Sequence, residues 1–426
     1  MPDNRGLNEY YKYLVFAFIF GFGGSVWGGL TYYLGQPVAY LNFLKASPVQ
    51  IGAVSAIFWA GFAFPQVWAA YKSESFAIKK NFFAWSIVIS SFGFLIAGIH
   101  ILLTGAANSA ASIWIFLLCY TWACAVCGMY IPANFALLFK IIPTERLGQL
   151  LGRMFAVQFG GTFVSIFAVT IIANLFGEPT RYAVLFIMTF IMTIIAGYII
   201  ASLKEPEGEV VPGSPSLSAY MGKLFTIFKT DTLFTKFIFG KWLMSGHYIM
   251  QAFLLTFLLQ ERGFNPDNSG WFTSFNGLGL MIGGFTITKI ADTYGPKYML
   301  ITSQIMAIIY TLVVWLIPSI NPVFVVGAFI FTGLAQISDN VGYSNMTMFC
   351  CPSEDKTTYV AAVNIGIILP MVLLPIIIGK FIGAGVFGFN GAFAISVAMM
   401  AAAILYILMV VENPKSFVDM KASMSD

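Results

Sequence analysis

Charge is scarce in this chain. Asp, Glu, Lys and Arg make up 9% of its 426 residues, against roughly 25% in soluble globular domains. Too few charges remain to cover a water-facing surface, which excludes a soluble multidomain protein. Histidine is scarcer still, with His100 and His247 as the only two. No cluster of the His-x-x-Glu-His type occurs, and the chain offers no nucleophile, base and metal cage together, so neither an enzyme nor a cofactor is expected. A glycine-rich phosphate loop is absent, which removes a primary ATP-driven pump. The five cysteines, Cys119, Cys124, Cys127, Cys350 and Cys351, lie in or at the ends of apolar segments. Cys124 and Cys127 have the spacing of a metal or redox pair, but no second pair and no histidine lies nearby, so they read as small packing groups.

What is there is apolar. Hydrophobic residues make up 59% and the mean hydropathy is +0.84, so the length is better counted in membrane crossings of ~20 residues. Apolar runs between polar breaks predict an all-α membrane protein with twelve crossings, near residues 11–34, 48–71, 81–104, 110–140, 150–175, 181–203, 233–258, 267–290, 297–319, 322–349, 357–382 and 388–411. The run after Lys12 is too long for a signal-peptide core and lacks a small-residue cleavage site, so the first helix is expected to be retained. Between the sixth and seventh segments, residues 204–232 are polar and rich in helix breakers, the composition of a linker. The expected organisation is two six-helix bundles, 1–203 and 233–426, joined by that linker.

The halves repeat. Pro48, Gly52, Glu74 and Lys79 reappear as Pro266, Gly270, Asp292 and Lys297, each displaced by the same 218 residues. Repeated membrane halves are a recurrent architecture of secondary transporters. With a cytoplasmic N-terminus, of the basic residues at segment ends and in loops only Lys45, Arg181, Arg262 and Lys380 fall on the outer side. This asymmetry predicts both termini and the linker inside a plasma (inner) membrane. It also accounts for the net charge of +4 without a nucleic-acid partner.

Ionisable groups within the bilayer carry more information, since each costs ~2.5–3.5 kcal/mol or more at mid-depth. Of all Asp and Glu, only Asp339 lies deep in a crossing. Helical spacing puts Gln336, Asp339, Asn340 and Tyr343 on one face of the tenth segment, a stripe expected to face a cavity. Asp339 reads either as a protonatable or substrate-pairing carboxylate, or as a structural one tied to neighbouring amides or to Lys241. His247 and Gln251, four apart on the seventh segment, form a second polar pair, functional or merely packed. Lys241 stands about two turns from the cytoplasmic end and is expected to snorkel. In the first half, Ser25, Gly28, Tyr32 and Gln36 lie along one side of the first segment. Cys127, Tyr130 and Asn134 lie along one side of the fourth, where Tyr130 stands at the position equivalent to Asp339 by the offset of 209 from Pro143 to Pro352. Trp27, Trp59 and Tyr130 could stack on a ligand, although packing explains most of the aromatic residues.

The loops carry a family resemblance. Residues 288–297, Thr-Lys-Ile-Ala-Asp-Thr-Tyr-Gly-Pro-Lys, resemble the acidic-glycine-basic loop of the major facilitator superfamily. Residues 70–80 are a degraded copy, with Ala70 and Ala77 where the family has glycine. Residues 44–52 and 143–148, the latter echoed by Pro352-Ser353-Glu354, also look typical of bacterial members. The resemblance implies the major facilitator fold, with the first, fourth, seventh and tenth helices around a central cavity. It further implies that Glu74, Lys79, Asp292 and Lys297 belong to gating loops in which Glu74 and Asp292 act as conformational latches. The other reading of those loops is a solvated turn.

Two family signatures are missing. Gly160-Gly161 in the fifth segment has no proline beside it, unlike drug/proton antiporters, and the fourth segment holds no arginine. The expected function is secondary active transport of a small organic solute by alternating access, coupled to a proton or another cation, by a monomer in the lipid bilayer, with uptake ahead of efflux. A drug or metabolite efflux antiporter, or a transport-dead receptor on the same fold, is the alternative.

Overall fold

A computed structural model of the chain describes residues 4–27, 36–73, 75–141, 147–208, 217–263, 269–316, 322–350 and 356–414, and all regular structure among them is helical. Away from water, backbone N–H and C=O groups must find partners within their own segment, and long apolar runs satisfy this as helices. The first half comprises α1 (Asn4–Trp27), α2 (Gln36–Phe43), α3 (Pro48–Ser73), α4 (Lys80–Thr104), α5 (Ser109–Gly128), α6 (Tyr130–Ile141), α7 (Leu147–Leu175) and α8 (Thr180–Ser202). After α9 (Leu217–Thr230), the second half follows with α10 (Thr232–Met244), α11 (Gly246–Gln260), α12 (Ser269–Thr286), α13 (Lys289–Tyr294), α14 (Pro296–Leu316), α15 (Pro322–Cys350), α16 (Lys356–Gly383) and α17 (Phe389–Val410).

Where they are described, the expected apolar segments fall mostly within one helix or two in succession. Among the described residues, seven helical spans are long and apolar enough to cross a membrane. Their outer faces match that solvent: Leu103, Tyr198 and Met409 are each more than three-quarters exposed, at 81%, 76% and 76%. The fourth segment breaks at Met129 and the seventh at Ser245, whose N–H turns back to the carbonyls of Lys241 and Trp242. The second break leaves Lys241 in the last turn of α10, where unpaired carbonyls favour a cation.

Each half packs mainly on itself, α4 with α8 and α1 with α7 in the first, α14 and α12 with α15 in the second. The halves meet along two seams, α7 against α12 and α3 against α16. The first seam is close because it is small: a Cβ on Gly284 would stand 2.8 Å from Ala156 Cβ and 2.9 Å from Gly152 O.

One face of the bundle gathers Glu9 of α1, the first residues of the linker and Asn413 after α17. Glu205 Oε2 accepts from the backbone N–H groups of Lys79 (2.8 Å) and Lys80 (2.7 Å), capping α4, while Oε1 accepts from Lys140 Nζ at 2.6 Å. Glu9 of α1 accepts from the Lys204 N–H at 2.8 Å. In the second half, Asn413 Oδ1 accepts from the Lys297 N–H at 3.3 Å and its Nδ2 donates to Tyr294 O at 3.0 Å. Glu205 and Asn413 stand equally far beyond the ends of α8 and α17, and each precedes a proline. The repeat therefore extends to the residues that hold its loops. This side is called the linker face below.

The stretch read as a polar, breaker-rich linker contains a helix. Its breakers end at Pro215, and beyond them Tyr220, Leu224 and Ile227 recur at helical spacing and are buried where α9 packs on α16, α10 and α3.

Candidate functional site

A cavity of about 220 Å³ lies between the halves, bordered by α1, α3, α6 and α7 on one side and α10, α11, α15 and α16 on the other. The sequence-predicted Tyr130, Asn134, Asp339, Asn340 and Tyr343 all line it. His247, Gln251 and Gln336 are buried in the second half but do not border it, and Gln36 at the start of α2 is half-buried away from it. Tyr32 and Glu74 lie outside the described residues. The stripe on α15 thus brings three of its four members to the cavity, with Gln336 turned into the bundle.

Lys241 departs from the snorkelling expectation. Its side chain is 2% exposed and Nζ donates to Asp339 Oδ1 at 2.5 Å. Pairing wins over snorkelling because Asp339, about midway along α15, would otherwise be an isolated charge at lipid depth, and a buried charge without its partner costs about 3–5 kcal/mol. Lys241 Nζ also sits 5.6 Å over the ring of Tyr343. The Tyr343 hydroxyl donates to Asn364 Oδ1 at 2.5 Å, and Asn364 Nδ2 donates to Gln66 Oε1. Gln66 is on α3, in the other half. A continuous polar chain therefore runs from the buried ion pair across the cavity's linker side to the opposite bundle.

The first-half wall is aromatic. Tyr130 stacks on Phe83 at 5.0 Å between centroids and meets Phe20 edge-on at 5.8 Å. The Tyr13 hydroxyl donates to Asn134 Oδ1, holding that amide at the wall. Trp59 reaches across to meet Tyr248 edge-on at 4.9 Å. His247 packs against Tyr248, with its Nδ1 2.9 Å from Met244 O in the turn before α11. It serves the break between α10 and α11 and has no contact with the cavity. Gln251 Nε2 has no hydrogen-bond partner among the described residues.

Sequence reasoning missed Lys241 as a cavity residue, together with Gln66, Gln158 and Asn364. The signal for Lys241 was available: one deep acid and one deep base, in the tenth and seventh segments of the same half, call for each other. Nothing in the sequence sets the three amides apart from other polar residues in apolar helices.

At the expected gates, Lys79 precedes α4 and donates its N–H to Glu205, while Lys297 Nζ donates to Leu408 O at 2.9 Å. Asp292 lies in α13, which packs against α7 of the opposite half. That loop turns at Gly295, whose φ of 100° favours glycine and whose would-be Cβ lies 2.6 Å from Asn413 Oδ1.

No curated protein matches the sequence. A family model described as Major Facilitator Superfamily matches residues 13–265 and again 237–420. Among solved structures, the nucleoside transporter NupG is similar at 13% identity and a TM-score of 0.67, with 95% of this chain and 100% of that one covered. The E. coli fucose:proton symporter FucP is 12% identical at a TM-score of 0.65, covering 95% and 98%. The proton:xylose symporter XylE is 13% identical at 0.65, covering 99% and 100%. These likenesses speak for the fold. With the family model spanning nearly the whole chain and both halves built around one central cavity, this integral, multi-pass membrane protein belongs to the Major Facilitator Superfamily and is a transporter, not an enzyme.

Proposed function

We propose that the chain is a secondary active transporter that moves a small organic solute by alternating access, coupled to a proton or another cation, with uptake as its direction. The observation that carries this reading is the inter-half cavity with a charged pair buried at mid-depth, since such charges in a membrane mark substrate and ion pathways. Twelve crossings, bundles at 1–203 and 233–426, a cytoplasmic linker at 204–232 and a plasma-membrane location complete the proposal, supported by the basic-residue asymmetry. Tyr130, Asn134, Asn340 and Tyr343 contact the solute in this reading, while Asp339 responds to the coupling ion by exchanging Lys241 for it. Asp292 acts as a latch through the contact of α13 with α7.

The test is uptake by proteoliposomes under an imposed pH or sodium gradient, over a panel of labelled metabolites. The expected result is saturable, gradient-driven accumulation of one class that Asp339→Asn abolishes. Gradient-driven accumulation by Asp339→Asn equal to wild type would remove the coupling role, and an absence of any protein-dependent flux would leave a receptor on a transporter fold.

A further inference from the structure

The two walls of the cavity are chemically unlike, and their difference constrains what fits between them. The first half contributes nine of the eleven aromatic side chains along the cavity and no charged one, and the second contributes both charged side chains, Lys241 and Asp339. Those two charges satisfy each other at 2.5 Å, so the described wall carries no net charge. With no coupling ion bound to Asp339, a solute bearing one net charge would have to open the pair or remain unpaired at lipid depth, and both are unfavourable.

The intact pair still has hydrogen-bonding capacity. Asp339 Oδ1 is occupied by Lys241, no other hydrogen-bond partner of Asp339 occurs among the described residues, and the carboxylate borders the cavity. An ammonium has three donors. The pair therefore presents an acceptor and a donor side by side, a pattern that suits neighbouring hydroxyls or a hydroxyl beside a carbonyl, through charge-assisted hydrogen bonds. The amides of Asn134, Gln158 and Asn340 add neutral donors and acceptors around the same space. Opposite the pair, and on the same half as Asn134 and Gln158, Phe20, Phe155, Trp59 and Tyr130 offer an apolar surface for a ring.

Resting on the transport reading above, we infer that the solute is electroneutral and ring-bearing, with its apolar ring face against the first half and a hydroxyl or amide edge against the Lys241–Asp339 pair. Neutral cyclic polyols and nucleoside-like heterocycles are the matching class. Organic anions, organic cations and acyclic polyols are disfavoured by the charge or the shape of the site.

Two isosteric series test this on the purified full-length protein: glucose, glucuronate, glucosamine and acyclic sorbitol, then uridine with its 5′-carboxylate and 5′-amino analogues. Binding is read from tryptophan emission, with Trp59→Phe identifying the signal from the cavity wall, and from thermal shift. The expected result is that a neutral ring binds at least about tenfold more tightly than its charged or acyclic counterparts, a preference of ~1.4 kcal/mol. Trp59→Leu should weaken the ring and leave sorbitol unchanged. A charged member binding as tightly as its neutral analogue overturns the inference, as does failure of every neutral ring to bind at millimolar concentration. Counterflow separates the two readings. A neutral ring that binds but never crosses sinks the transport reading alone, and a charged member that both binds and crosses sinks the substrate class alone.

Discussion

The two halves of this protein keep the same scaffold and have let their inner walls diverge. On the linker face the repeat is preserved in detail: Glu205 after α8 holds the start of α4, and Asn413 after α17 holds the start of α14. At the cavity the same repeat places Tyr130 opposite the position held by Asp339, an aromatic wall against an ion pair. Helix placement needs only apolar segments, close seams and capped ends, and both halves must satisfy those needs in lipid. Wall chemistry is free of those needs, and in the proposed site it answers to a solute with different faces toward the two halves.

The ion pair is where this comparison can be broken most severely. Lys241→Met leaves Asp339 charged and alone, and should lower stability by about 3–5 kcal/mol, whereas the double variant Lys241→Met with Asp339→Leu should recover most of that loss. Thermal unfolding in detergent measures both. Equal stability of the single and double variants would show that the pair is not buried in the working protein. Restoring stability should not restore transport, because the second half would then lack the charged pair on which the proposed site depends.

The repeated caps allow a graded test. Glu205→Ala removes the acceptor of two backbone N–H groups and the partner of Lys140, and should cost about 1.5–3 kcal/mol. Asn413→Ala removes a neutral cap and should cost about 1 kcal/mol. If the two substitutions cost the same, the charge on Glu205 contributes nothing beyond its geometry, and the caps are equivalent in energy as well as in place.

The smallest expected effect belongs to the bridge between the halves. Gln66→Leu removes the acceptor for Asn364 and should shift the balance of open and closed linker-face states by about 1 kcal/mol, or roughly fivefold. The reaction rate of a cysteine at Ser344, in a background free of other cysteines, reports that shift. An unchanged rate would make the bridge incidental to gating.

Much of this was legible in the sequence because lipid imposes simple rules. The apolar runs located the helices, the 218-residue offset revealed the repeat, and the cost of a charge in hydrocarbon drew attention to Asp339. Periodicity failed where one segment becomes two helices, since Gly128, Pro132 and Gly246 beside the turns at Met129 and Ser245 sit inside otherwise unbroken apolar runs. It failed again at α9, where polar composition outweighed a short amphipathic spacing. The snorkelling expected of Lys241 gave way because the packing of α10 on α15 puts Asp339 within reach, the pairing that the sequence offered as one reading of Asp339. Gln66 and Asn364 were invisible, since their hydrogen bond joins residues 298 apart in sequence.

Whether the walls are exposed alternately to the two sides of the membrane is the question on which everything else depends. Asn340, at the cavity wall beside the ion pair, is the position to ask it from. With Asn340→Cys as the sole cysteine in reconstituted vesicles, membrane-impermeant thiol reagents are applied from one side and then the other, with and without a transported solute. The expected result is labelling from both sides, with solute raising one rate as it lowers the other. Labelling from one side alone under every condition would contradict alternating access and leave a rigid receptor built on a transporter fold.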